Sequence, residues 1–187
     1  MKAISTPAII PVAESLYLRP VAVSDAPVLF SLIDKQRPYL RQWLPFVDAS
    51  REVGDTEMFL QYVTAKGNIH DKVFVIMYQH EVSGLISFKA IDYQHRKLEI
   101  GYYLSEQQQG KGIMLRSCQA LVNYAFEMMD MNRIQIKVGV GNLRSSNIPQ
   151  KLGFTLEGVQ REAEFLNGRF HDLELYSLLQ REWQQRP

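Results

Sequence analysis

One cysteine, Cys118, stands in 187 residues, so no disulfide can form within the chain. Charge of one sign is also missing. Lys and Arg number 21 and Asp and Glu 20, a net charge of +1. That balance argues against a duplex nucleic-acid binder that works by bulk charge, though not against a local basic patch. No apolar run approaches the ~20 residues of a membrane span. The opening MKAISTPAIIPVAES has no long apolar core of a secretory signal, and Pro7 and Pro11 interrupt it. The four histidines, His70, His80, His95 and His171, are scattered without helical ligand spacing, so no metal site is expected. There is no internal repeat. These absences lead us to expect a soluble, cytoplasmic protein, with residues 1–14 a loose tail and 15–187 a single domain.

What is present reads as alternating strands and helices. SLYLRPV (15–21) alternates apolar and polar residues, which suits a half-buried strand. Ser24 is placed to cap a helix with Pro27 in its first turn. RPYLRQWLPFV (37–47) predicts a short helix ended by Pro45, and DTEMFLQYVTAKG a further helix opened by Gly54 or Asp55. Strands are predicted over 72–78, 84–92 and 97–104, a long helix over 111–129, and a strand over 133–140. A short helix over 144–154 and a final hairpin around Asn167-Gly168 complete the chain. This order describes an α+β domain with a mostly antiparallel sheet.

The segment LSEQQQGKGI (104–113) joins a strand to the long helix and carries almost no side chain at Gly110 and Gly112. A helix N-terminus leaves backbone N–H groups unpaired and carries partial positive charge, so such a turn suits a phosphate or pyrophosphate. A tight turn that binds nothing would use the same glycines. The spacing is neither the nucleotide P-loop nor the dinucleotide fingerprint. A Walker-type loop needs Ser or Thr after the lysine, and Gly112 and Ile113 follow Lys111 instead.

With NLRSSNIPQKLGF (142–154) added, the pair of segments resembles the GNAT superfamily of acyl-CoA-dependent N-acetyltransferases. Gln107, Gly110 and Gly112 match that family's Gln/Arg-x-x-Gly-x-Gly/Ala loop. Asn142, Ser145, Lys151, Gly153 and Phe154 match its later motif. EIGYYLSEQQQGKGI and GFTLEGVQREAEFLNGRFHDLELYSLL look like the RimL-like branch, the ribosomal-protein-serine acetyltransferases. The resemblance covers about residues 15 to 180.

It implies the GNAT fold, with two parallel strands, 97–104 and 133–140, splaying around acetyl-CoA. Pantetheine would pair with the strand backbone at Tyr102, Tyr103 and Leu104, and one N–H near Tyr103 would face the thioester oxygen. Pyrophosphate would lie on the amides from Gln109 through Gly110, Lys111 and Gly112 to Ile113. The Lys111 side chain itself is read as a solvated charge near the phosphates. Asn142 would position pantetheine or cap the short helix.

Transfer needs a neutral amine, hence a base. Glu99 matches the glutamate proposed for that role in the branch, and its apolar neighbours predict a raised pKa. The alternative is a surface pairing with Lys97 or Arg96. Ser145 is the expected acid for the departing thiolate, or else a helix cap. Pro149 stands where many relatives place a tyrosine. His171 and Asp172 either orient the acceptor or make a hairpin contact. The segment holding Arg37, Tyr39, Arg41 and Trp43 lines acceptor sites in relatives, although Leu40 and Trp43 also suit a core.

The expected acceptor is a primary amine, first a protein N-terminus of the ribosomal kind. A polyamine, amino acid or drug amine is the alternative, and a non-catalytic acyl-CoA-binding module the rival class. No direct nucleic-acid or membrane partner is expected. Relatives are often dimers, so a homodimer is anticipated.

Overall fold

The structure, a computed structural model, describes residues 9–185. The first eight positions of the anticipated tail lie outside those residues. The next ones do not form a tail. Ile10–Ala13 form strand β1, antiparallel to β2 (Leu16–Pro20). Pro11 suggested a loop, but β1 is the edge strand of the sheet, where a missing N–H is tolerated. Ile10 and Val12 pack on the main core.

After β2 the chain forms α1 (Ala26–Lys35), the single turn α2 (Arg37–Leu40) and α3 (Val53–Thr64). Ser24 does not cap α1. Asp25 stands at the N-cap, but its carboxylate turns back across the preceding 3-10 turn, accepting from the Ala22 amide at 2.8 Å and from the two terminal nitrogens of Arg19. Pro45 does not simply stop a helix either. It opens a separate 3-10 turn, Pro45–Asp48. Then come β3 (Lys72–Tyr78), β4 (Glu81–Asp92), β5 (Lys97–Leu104), α4 (Ile113–Glu127), β6 (Arg133–Gly139), α5 (Leu143–Lys151), β7 (Thr155–Leu166), β8 (Arg169–Leu179) and α6 (Gln180–Gln184). The β3–β4 turn is tighter than the sequence implied. Gln79 and His80 both take positive φ, 51° and 67°, the geometry of a two-residue hairpin. Asn167 and Gly168 do the same between β7 and β8, at 52° and 78°.

The eight strands form one sheet in the order β1-β2-β3-β4-β5-β6-β8-β7. Every pairing is antiparallel except β5 with β6. Alternation along the strands divides their side chains between two cores. Leu98 and Ile100 of β5 and Ile134, Ile136 and Val138 of β6 join the α4 side, with Cys118, Leu121, Val122 and Phe126. Val73, Val75, Leu85 and Tyr103 join α1 and α3 on the opposite face, with Leu29, Ile33 and Leu60. Each such side chain, fully buried, contributes about 1.5–3 kcal/mol.

Candidate active site

β5 and β6 pair only at Lys97–Arg133, Leu98–Ile134 and Glu99–Gln135. Beyond Glu99 the two strands separate. From Ile100 to Leu104, β5 keeps its partner β4, while β6 keeps its partner β8. The facing edges therefore carry backbone groups available to something inserted between them. The opening leads to the glycine turn. Gly110 and Gly112 take φ of 74° and 69°, a left-handed conformation that costs an L side chain. A Cβ at Gly110 would meet nothing within 4 Å, so the turn is open on that side. Among the described residues, none accepts from the N–H groups of Gly110, Lys111 or Gly112. With the first amides of α4 they form a cradle whose chemistry fits a diphosphate.

Gln109 departs from expectation. Its N–H is already bonded to the Glu106 carbonyl at 3.2 Å. Its side chain forms a bridge instead, donating to the Tyr39 hydroxyl and accepting from Arg144 at 2.6 Å. Gln36 adds a second tie, bonding Ser105 and the Glu106 amide. The α1–α2 corner is thus fastened to the turn. The Lys111 ammonium lies 2.7 Å from the Gln108 side-chain oxygen.

On the α1–α3 face, a cavity of about 760 Å³ extends from this opening. Glu99, Tyr102, Tyr103, Asn142 and Ser145 all line it, as do Lys89, Lys137 and Glu164. Its outer wall is apolar, built from Trp43, Pro45, Phe46, Met58 and Phe59. Trp43 is not a core residue here. Its ring covers Gly139, where a Cβ would come within 3.2 Å of Cε3.

Glu99 is not the carboxylate the sequence implied. Neither Lys97 nor Arg96 pairs with it. Lys89 reaches Oε1 at 3.0 Å, Lys137 reaches Oε2 at 3.2 Å, and Gln135 donates to Oε2 at 3.3 Å. Burial pushes its pKa up, but the two ammonium groups outweigh burial and hold it below the ordinary carboxylate value. The expectation of a raised pKa is therefore overturned. Apolar neighbours along one strand do not report charges delivered from adjacent strands. Lys89 stands directly across from Glu99 in the β4–β5 register. Gly101 makes room for it, since a Cβ there would meet the Lys89 stem at 2.7 Å.

Glu164 has the opposite environment. It is half-buried, and among the described residues no hydrogen bond or ion pair reaches its carboxylate. Burial raises its pKa above the ordinary value, Lys89 and His171 partly oppose this, and the Glu99 charge adds to it. The sequence holds no signal that selects Glu164 from the neighbouring Glu157 and Glu162.

Ser145 sits in the first turn of α5. Capping falls to Asn142, whose side-chain oxygen accepts from the Ser145 amide at 3.2 Å. The Ser145 hydroxyl is left to donate to the Tyr102 hydroxyl at 3.2 Å. Tyr102 in turn donates to the Ser145 carbonyl at 3.2 Å, and burial pushes its pKa well above the usual phenol value. Tyr102 was expected to contribute backbone. Its phenol, arriving from β5, instead brings a hydroxyl to Ser145. Tyr103 is buried on the other face against Phe46, ring centroids 5.7 Å apart. Cys118 is fully buried in the α4 core, and burial raises its pKa well above the usual thiol value. Among the described residues there is no group of three or more His, Cys, Asp or Glu placed to hold a metal ion, and no helix long and apolar enough to cross a membrane.

A mixed sheet whose one parallel pair splays over a glycine turn and a helix N-terminus defines an acyl-CoA N-acyltransferase fold. Comparison with known proteins agrees. Residues 15–155 match the acetyltransferase (GNAT) domain family, and the chain belongs to that family of N-acetyltransferases. It is 35% identical over 171 residues to the ribosomal-protein-serine acetyltransferase of Escherichia coli (strain K12), covering 90% of this chain and 94% of that protein. A solved structure of RimL, the ribosomal L7/L12 alpha-N-protein acetyltransferase, in complex with coenzyme A superimposes with a TM-score of 0.88 at 35% identity, covering 91% of this chain and 97% of that one. The microcin C7 self-immunity acetyltransferase MccE, solved with acetyl-CoA and AMP, gives a TM-score of 0.88 at 29% identity over 93% of this chain and 97% of that one.

Proposed function

We propose that the chain transfers the acetyl group of acetyl-CoA to a protein N-terminal amine, of the kind presented by a ribosomal protein. The observation that carries the reaction is the splay of β5 from β6 beyond Glu99, opening at one end on the glycine turn and at the other on the cavity of Glu164 and Ser145. Relatives named for ribosomal-protein serine and for the alpha-N position of ribosomal L7/L12 support the acceptor class.

The amine nitrogen attacks the thioester carbon directly. A C–N bond forms, the C–S bond breaks, and the nitrogen gives up one proton. Of the two carboxylates in the cavity, Glu164 is the better proton acceptor. Its oxygens are unpaired, and its raised pKa lies closer to that of an α-amino group, about 7.7–8.0. Glu99, the acceptor favoured by sequence, already holds two lysines, and we assign it to fixing them in the cavity wall. The departing thiolate takes a proton from the Ser145 hydroxyl, which turns from the Tyr102 oxygen it donates to in the structure and regains a proton from solvent. Backbone N–H groups on the unpaired edge of β5 stabilise the charge on the carbonyl oxygen.

The test is release of free thiol from acetyl-CoA with ribosomal-protein N-terminal peptides beside polyamines and amino acids. Turnover with a peptide, lost when its N-terminus is blocked, is the expected result. Turnover confined to polyamines or amino acids overturns the acceptor class. Binding of acetyl-CoA without thiol release for any amine overturns the enzyme reading of the site.

A further inference from the structure

We infer that Asp172 is a positioning residue, whose carboxylate anchors a bulge in β7 and thereby aims Glu164 into the cavity. The inference rests on the reading of Glu164 as proton acceptor.

The register between β7 and β8 shows where the anchor is needed. Gln160 pairs with Leu173 and Glu164 pairs with His171. β7 advances four residues there while β8 advances two, so the ladder is interrupted opposite Asp172. Glu162, at the centre of the excess, has φ of 51°, a conformation that L residues other than Asn and Asp rarely adopt. Its N–H has no ladder partner. The Asp172 carboxylate supplies one, accepting from it at 2.8 Å. A hydrogen bond to a charged acceptor is among the stronger kinds and suits this repair. The Asp172 carbonyl meanwhile accepts from the Val140 amide at 3.0 Å, just past the end of β6. One residue therefore ties the bulge to the strand whose end, Val138 and Gly139, forms the opposite wall of the same cavity.

A bulge bends its strand and re-aims the side chains that follow. The residues that follow here are Ala163 and Glu164, and both line the cavity. Beyond them Phe165 and Phe170 resume regular pairing toward the Asn167-Gly168 turn. The bulge is thus confined between two well-registered segments, and Asp172 is the side chain that bonds into it.

Two conservative variants separate anchoring from charge. Asp172→Asn keeps an oxygen at the same reach and loses the charge. Asp172→Glu keeps the charge and moves the oxygen by one carbon. We expect Asn to retain kcat within about twofold, and Glu to lower it about tenfold or more with the KM for acetyl-CoA unchanged, as displacement of a reacting group does. Hydrogen exchange across 160–165 should quicken in the Glu variant and not in Asn. The reverse activity order assigns Asp172 to charge recognition of the acceptor and overturns the inference, as does unchanged exchange in the Glu variant. Glu164→Gln is measured alongside. Full activity there overturns the proton-acceptor reading, while the exchange data still judge the anchor.

Discussion

Glu99 and Glu164 face one cavity, carry the same side chain and differ in everything that decides what a carboxylate does. Glu99 lies on a central strand, flanked by β4 and β6, and each neighbour contributes a lysine. Glu164 lies on the edge strand, with a neighbour on one side only, and of those two lysines feels Lys89 alone, without an ion pair. Position in the sheet thus sorts the two roles. A central site collects cross-strand partners and becomes a fixed anion. An edge site leaves its oxygens without cross-strand partners, as the proposed role of proton acceptor requires. It also explains why a single strand, read alone, did not show the two lysines on Glu99.

The sharpest way to break this contrast is to neutralise each in turn. Glu164→Gln should cut kcat by about 10²–10⁴, the usual contribution of general-base catalysis. The acid limb of the rate profile should vanish with it. Glu164 accepts a proton only when ionised and its pKa is raised, so wild-type activity falls as pH drops through a value above the ordinary carboxylate range. Glu99→Gln should cost far less in kcat, and a larger loss there than at Glu164, in steady-state kinetics, reverses the assignment. Next in size is Gly112→Val. The φ of 69° resists a β-branched residue, so the cradle distorts and the KM for acetyl-CoA rises about tenfold or more, with kcat at saturation little changed.

A smaller effect separates the lysines from the carboxylate they hold. Lys137→Met should raise the Glu99 pKa toward its ordinary value, seen by NMR titration, and lower stability by about 1 kcal/mol in thermal melts, since the lysine is partly exposed. The smallest effect extends the contrast to a third carboxylate. Glu157 is clamped by Arg133 at 2.6 Å through both oxygens and by Ser177 at 2.7 Å, which hold its pKa at about 2. A depressed pKa adds stability that is present above the unfolded value, 4.5, and lost as pH falls toward about 2. Glu157→Gln should lower the melting temperature slightly at neutral pH, where that contribution is present, and converge with wild type as pH falls through the window, so that its acid dependence is flatter in pH-dependent melts.

Much of this was legible in the chain. Strands 72–78 and 97–104 were read to the residue, because alternation or apolar runs there are bounded by turn residues. Asn167-Gly168 announced the last hairpin, and Gly110 with Gly112 announced the cradle, since backbone conformation demanded those types. β1 was missed because Pro11 signals a loop unless it is known to lie at an edge. Lys89 and Lys137 were missed because their meeting with Glu99 depends on pairing between strands. Glu164 was missed because the register shift beside it in β7 leaves no compositional trace.

The three pairs that join β5 to β6 have a mechanical consequence. They are the hinge-like seam of the sheet, with β1 to β5 on one side and β6, β8 and β7 on the other. A molecule that bonds to both free edges completes the seam and couples the two blocks. Donor binding should therefore stiffen the protein well beyond the atoms it touches, slowing amide exchange along the outer halves of β5 and β6 together.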